Sequence, residues 1–283
     1  MAQIPLPSAA AAEHPEFDLD RNDDTRQIVA DVAYRQLAIV NVVFVGFEGA
    51  GDGNWVLVDA GIPGSVHAIR SAAGARFGGQ GRPACIIMTH AHFDHVGALE
   101  TLANEWEVPV YSHHAEHPYL DGTRSYPPAD PGVGGGMLAR LSPLFPTSPV
   151  NVASQLYDLP ADHSVPFMRD WRWIHTPGHT PGHVSLWRER DRVLIAGDAF
   201  ITTRQESVYA ALTQTPEMHG PPMYFTPDWA SAKASVRALA ALAPEIVITG
   251  HGAAMQGPAM RSALDALAER FDEVAVPSRE RGS

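Results

Sequence analysis

The segment Thr89-His90-Ala91-His92-Phe93-Asp94-His95-Val96-Gly97 places three imidazoles and a carboxylate within six positions. It follows an apolar, strand-like stretch, Ala84 to Met88, and precedes a helix-like one from Gly97 to Trp106. A chain with this order turns from strand to helix where its chemistry is densest, and functional residues concentrate on loops held by such scaffolds. Side chains alternate between the faces of a strand, so His90 and His92 project to one side and can share a cation, while the tight turn swings Asp94 and His95 toward a second. A single histidine here would read as a solvated side chain; the spacing singles out the group.

Matching residue types recur at later strand ends. After the strand-like Trp171 to Ile174 comes His175-Thr176-Pro177-Gly178-His179-Thr180-Pro181-Gly182-His183. After Val193 to Ala196 comes Gly197-Asp198, and after Glu245 to Ile248 comes Thr249-Gly250-His251-Gly252. H-x-H-x-D-H followed in this order by T-P-G-H-T, G-D and G-H resembles the metallo-β-lactamase superfamily, and in particular its glyoxalase II-like metallo-hydrolases. The resemblance covers most of residues 30 to 275. It implies an α/β fold, the αββα sandwich in which two mixed sheets pack face to face with helices outside.

It also implies that His90, His92 and His179 hold one metal ion, that Asp94, His95 and His251 hold another, and that Asp198 bridges them. Two divalent metal ions are therefore the expected cofactors. Nitrogen and oxygen donors without thiolate suit Zn2+ and also accommodate Fe or Mn. Asp59, ending Val56-Leu57-Val58, matches a family position that supports the ligands from behind. His175 and His183 flank the ligand loop and read as orienting it through hydrogen bonds.

Metal ions sharing a water lower its pKa toward about 7. The resulting reading is a dinuclear hydrolase that cleaves an ester, lactone or thioester bond in a small molecule through a metal-bridging hydroxide, with Asp94 and Asp198 as catalytic residues. The alternative is a mononuclear iron-dependent persulfide dioxygenase using His90, His92 and His179 and indifferent to His251. A non-catalytic binding module would be marked by loss of a ligand, and none is lost. Asp198 stands where the β-lactamase groups place cysteine or a non-ligand. Lactonases of acyl-homoserine lactones carry tyrosine three residues after the bridging aspartate, where this chain has Ile201. Glyoxalase II carries basic residues, often lysine, beyond its last ligand, where this chain has Arg261 and Arg270. Substrate contacts are assigned to Arg204, Tyr209 and Tyr224.

The 283 residues are 45% hydrophobic, enough to bury one large α/β core. A formal net charge of -12, with Lys233 the one lysine, argues against nucleic acid as a partner, because phosphate neutralisation needs a basic patch. The first residues lack a basic leader and no stretch approaches membrane-spanning length, so a cytoplasmic location without a membrane partner is expected. Homo-oligomerisation is left open. Cys85 reads as an inert core residue. His113, His114 and His117 lie outside the motifs and read as a surface or pocket-rim cluster.

Residues 1–28, rich in Ala, Pro and acids, read as a partly disordered arm, and 29–283 as a single domain. Within it, 121–150 interrupts the pattern with Pro127-Pro128 and Gly134-Gly135-Gly136, as a lid, a substrate wall or a passive loop. Spacing predicts helices over 66–77, with Ser65 as N-cap and Gly78 as stop, from Pro227 to Leu242, with Thr226 as N-cap, and from Pro258 to Val274.

Overall fold

Runs such as Val40-Asn41-Val42-Val43-Phe44-Val45 and Cys85-Ile86-Ile87 are buried along their whole length, as in strands covered on both faces. The computed structural model describes residues 4–6, 19–20, 22–125, 150–203, 216–278 and 280. These fall into two compact units, one of residues 19–125 and 150–172, the other of 4–6 and the described residues from 173 on. The first described strand, β1 (Ile4–Pro5), belongs to the second unit.

The first unit is built on one mixed sheet in sequential order. Its strands are β2 (Leu19–Asp20), β3 (Arg26–Val29), β4 (Val32–Leu37), β5 (Val40–Val45), β6 (Val56–Val58), β7 (Cys85–Ile87), β8 (Val110–Ser112) and β9 (Leu156–Asp158). Neighbours are antiparallel as far as β6 and parallel from there on. Parallel neighbours need crossovers. These hold α1 (Val66–Phe77) before β7, α2 (Phe93–Val96) and α3 (Leu99–Trp106) before β8, and α4 (His117–Leu120) before β9. With Leu57 opposite Ile86 and Ile86 opposite Val110, the C-terminal ends of β6, β7 and β8 lie side by side.

The α3 residues Leu99, Leu102, Ala103 and Trp106 recur at helical spacing and are all buried. They join Leu57, Ile69, Phe77 and Ile86 in one core, where Trp55 stacks on Phe77 at 4.3 Å between centroids. Each large apolar side chain so buried contributes about 1.5–3 kcal/mol. Ser65 stands at the N-cap of α1 without a side-chain capping bond, and Gly78 ends the helix at φ 75°. Within the segment read as an arm, β1 and β2 are strands, and β3 begins there and ends at Val29.

The chain enters the second unit within β11 (Met168–His175), whose start pairs with β10 (Ser164–Val165). From β11 the sheet continues through β12 (Val184–Arg188), β13 (Val193–Gly197), β16 (Ile246–Thr249) and β17 (Met255–Gln256). The strands β14 (Ile201–Thr203) and β15 (Pro216–His219) form a separate sheet with β1, in the order β1-β15-β14. Helices α5 (Trp229–Ala241), α6 (Gly257–Glu269) and α7 (Phe271–Val274) belong to the same unit. Their residues Val236, Leu239, Leu264, Leu267 and Phe271 share a core with Leu194 and Val247 of the sheet.

Two helix boundaries differ from the sequence reading. The N-cap of α5 is Asp228, not Thr226: its carboxylate accepts the Ser231 N–H at 3.0 Å. The segment from Pro258 to Val274 is two helices, because Arg270 departs from helical geometry at φ -106°, ψ 26°. Among the described residues no helix is long and apolar enough to cross a membrane. Residues 126–149 of the 121–150 insert, together with Arg204 and Tyr209, lie outside the described residues.

Candidate metal centre

In the first unit, β7 ends at Ile87, so strand alternation does not reach His90 and His92. The loop itself brings them together, with perpendicular rings whose centroids are 4.8 Å apart. His92 is the N-cap of α2, and Asp94 and His95 lie in that single turn, all of them buried. Gly97 lets the loop close. Its φ is an ordinary -58°, but a Cβ there would stand 2.1 Å from the Ile62 carbonyl carbon and the Pro63 nitrogen. The Gly97 N–H donates to the Gly61 carbonyl at 2.7 Å, and the Ala60 N–H donates to the His95 carbonyl at 2.7 Å, tying the turn to the end of β6.

Asp59 organises this turn from the neighbouring strand end. Its Oδ1 accepts the Thr89 N–H at 2.8 Å, and its Oδ2 accepts both the Thr89 hydroxyl, at 2.7 Å, and Nδ1 of His95, at 2.8 Å. Asp59 does this from the left-handed region, φ 61°, an uncommon conformation for a side-chain-bearing residue. Because the Thr89 proton goes to the carboxylate, its oxygen accepts from Nδ1 of His90 at 3.0 Å. Both imidazoles are thereby assigned the Nδ1–H tautomer, which leaves the Nε2 lone pair as the coordinating group. Glu116, buried after β8, accepts the Ala91 N–H at 3.0 Å and so anchors the residue between His90 and His92. Sequence reading missed Glu116, and a glutamate so far along the chain carries no local sign of that contact.

In the second unit, β12 and β13 are antiparallel with Leu186 opposite Ile195, and the same register continued beyond the strands sets His183 opposite Asp198. There Nε2 of His183 accepts the Asp198 N–H at 2.9 Å. Its Nδ1 then donates to the Thr176 hydroxyl at 2.8 Å, Thr176 to Ser185 at 3.1 Å, and Ser185 to the Ala196 carbonyl at 2.9 Å. Both nitrogens of His183 are engaged in holding the Asp198 backbone. His175 bonds the Pro181 carbonyl at 2.8 Å within the same loop.

Parallel pairing of β13 with β16, Gly197 opposite Thr249, brings Asp198 and His251 from adjacent strand ends. Oδ2 of Asp198 lies 3.1 Å from Nε2 of His251 and 3.4 Å from Nε2 of His179. A carboxylate oxygen with two imidazole nitrogens converging on it is a donor set that fits a divalent cation. No thiolate takes part: Cys85 is buried, its burial pushes the thiol pKa up, and its Sγ lies 3.8 Å from the Pro166 carbonyl.

The other predicted residues that the structure describes make contacts of their own. Tyr224 is buried in a 3-10 turn, packed with Met223 and edge-on to Phe225. His113 caps a 3-10 turn by accepting the Ala115 N–H, and His117 pairs with Asp158 at 3.4 Å.

The family model for the metallo-β-lactamase superfamily matches residues 35–251, a span that includes all seven candidate ligands. The chain belongs to the metallo-β-lactamase superfamily. YflN, a probable metallo-hydrolase of Bacillus subtilis (strain 168), is 48% identical over 236 residues, 83% of this chain and 89% of its own length. The BLEG-1 B3 metallo-β-lactamase superposes with a TM-score of 0.53 at 24% identity, covering 79% of this chain and 93% of that one. TTHA1623 in a di-iron-bound form gives a TM-score of 0.53 at 24% identity, over 83% and 95% of the two chains. These likenesses establish the metallo-β-lactamase fold, of the α/β class, and within the superfamily this chain is a metal-dependent hydrolase.

Proposed function

We propose that the chain is a dinuclear, zinc-dependent hydrolase cleaving an ester, lactone or thioester bond in a small molecule. His90, His92 and His179 would hold one ion, Asp94, His95 and His251 the other, and Asp198 would serve both. The observation that carries this reading is the clamp of Asp59 and Thr89, which commits His90 and His95 to Nδ1–H and so presents Nε2 as a ligand atom. A hydrogen-bonded carboxylate behind an imidazole is the usual support of a metal-bound histidine. The donor set also accommodates iron or manganese.

When bound, the ions supply Lewis-acid polarisation of the scissile carbonyl and a water whose pKa falls toward about 7. The chain's own residues do the rest. Asp94, buried in the first turn of α2, would help to orient the attacking water and take up its proton while remaining a ligand. Asp198, with its backbone held by His183, would present Oδ2 as the ligand atom shared between His179 and His251. Asp59 keeps His95 from turning.

Metal content per chain by mass spectrometry, combined with hydrolysis of a panel of lactones, thioesters and aryl esters, tests the reading. Two ions per chain and loss of hydrolysis in His92→Ala are expected. At most one ion, or hydrolysis that survives His92→Ala, overturns the dinuclear version. Oxygen consumption on a persulfide that is insensitive to His251→Ala would replace it with the mononuclear iron dioxygenase.

A further inference from the structure

We infer that Thr226 is a positioning residue that selects the ligating nitrogen of His179. The inference rests on the proposed metal centre. Thr226 is buried at the end of the turn that leads into α5, and among the described residues its Oγ1 has two hydrogen-bond partners. One is the Pro222 carbonyl at 2.7 Å, and the other is Nδ1 of His179 at 3.0 Å. A carbonyl only accepts, and a hydroxyl has a single proton. If Thr226 donated to His179, two acceptor oxygens would face each other at the shorter of the two distances. The arrangement that satisfies both contacts is a relay in which Nδ1–H of His179 donates to Thr226 and Thr226 donates to Pro222.

His179 is thereby held as the Nδ1–H tautomer, with the lone pair on Nε2 directed at Oδ2 of Asp198, 3.4 Å away. Two acceptors at that separation repel each other, and they attract a cation placed between them. The backbone around His179 is fixed by the same part of the chain. Gly178, at φ 132°, approaches α5 so closely that a Cβ would meet the Ala232 nitrogen at 2.3 Å. The Asp228 N–H donates to the Gly178 carbonyl at 3.3 Å, and the Ser235 hydroxyl donates to the Pro177 carbonyl at 2.7 Å. The loop is thus held by α5, and Thr226 adds the choice of tautomer. Asp228 takes over the capping of α5, so the Thr226 hydroxyl is committed to the relay.

The test uses the full chain, wild type, Thr226→Val and Thr226→Ser, with zinc alone as the probe. Imidazole 15N shifts of the metal-free protein should report Nδ1–H at His179 in the wild type and in Thr226→Ser, and a population of Nε2–H in Thr226→Val. Zinc affinity by chelator competition should fall about 10–100-fold in Thr226→Val and be restored by serine. An Nε2–H tautomer at His179 in the wild type overturns the inference without reference to any variant. So does a serine variant as weak as the valine one, or a valine variant with wild-type tautomer and affinity. If the wild type binds no zinc while the tautomers behave as expected, the metal centre falls and the tautomer assignment stands.

Discussion

The Asp59 carboxylate and the His95 imidazole meet at 2.8 Å, Oδ2 to Nδ1, with both side chains buried. Asp59 reaches this contact from a left-handed backbone and holds Thr89 by two further bonds. Asp59→Asn tests how much of the site depends on it. Asparagine tolerates the backbone conformation. If its carbonyl keeps the Thr89 N–H, however, its amide turns a donor toward the Thr89 hydroxyl and His95. The expected result is a loss of about 1–3 kcal/mol in urea unfolding. Zinc affinity is expected to fall about 10–100-fold by chelator competition. Unchanged affinity would remove Asp59 from the support of the site.

His183 should behave as a support of Asp198 and not as a ligand. Replacing it with alanine leaves the buried Asp198 N–H without its acceptor, at a cost of about 1–3 kcal/mol. Metal stoichiometry should persist at saturating zinc while hydrolysis falls about 10–100-fold. Loss of one whole ion per chain at saturation would make His183 a ligand instead.

Glycine substitutions should separate a close approach from a merely local preference. Gly97→Ala drives a methyl into the backbone of Ile62 and Pro63, and a destabilisation of about 1–3 kcal/mol or more is expected. Gly74 lies within α1, and a methyl group there would meet nothing within 4 Å, so Gly74→Ala should stabilise by roughly 0.5–1 kcal/mol. Urea midpoints of the two variants moving in opposite directions would bear this out.

Capping of α5 carries a pH signature. The Ser231 hydroxyl and N–H hold the Asp228 carboxyl below the usual carboxylate range. A depressed folded-state pKa contributes stability that is complete above the unfolded pKa, about 3.9, and is lost as pH falls through the folded value. Asp228→Ala should therefore cost about 1 kcal/mol near neutrality. The gap to wild type should narrow in acid, below about pH 4. Stability curves that stay parallel into acid would show that the cap acts without its charge.

Much of this was legible in the sequence, because short spacings carry it. The apolar run Ala84 to Met88 marks β7, helical spacing marks α1, and the stretch from Gly97 to Trp106 marks α3, each within a few residues of its observed ends. The candidate ligands were legible for the same reason. His90, His92, Asp94 and His95 fall within six positions of one loop and the short helix it enters, and His179, Asp198 and His251 each follow an apolar run that the structure shows as a strand.

Of the groups behind the ligands, the family resemblance named Asp59 and His183, but the atoms they hold, and the parts played by Glu116 and Thr226, were decided by tertiary structure. Asp59 stands 36 residues from His95, Glu116 25 from Ala91, and Thr226 47 from His179. A hydrogen bond needs its partners about 3 Å apart and aligned. That placement follows from sheet register and crossover length, which leave no periodic trace in the chain. Thr226 and Asp228 make the difference concrete. Either side chain can cap a helix, and the sequence alone named the threonine. Only the fold, by bringing the Pro222 carbonyl and the His179 imidazole to the Thr226 hydroxyl, gave the cap to the aspartate and the imidazole to the threonine.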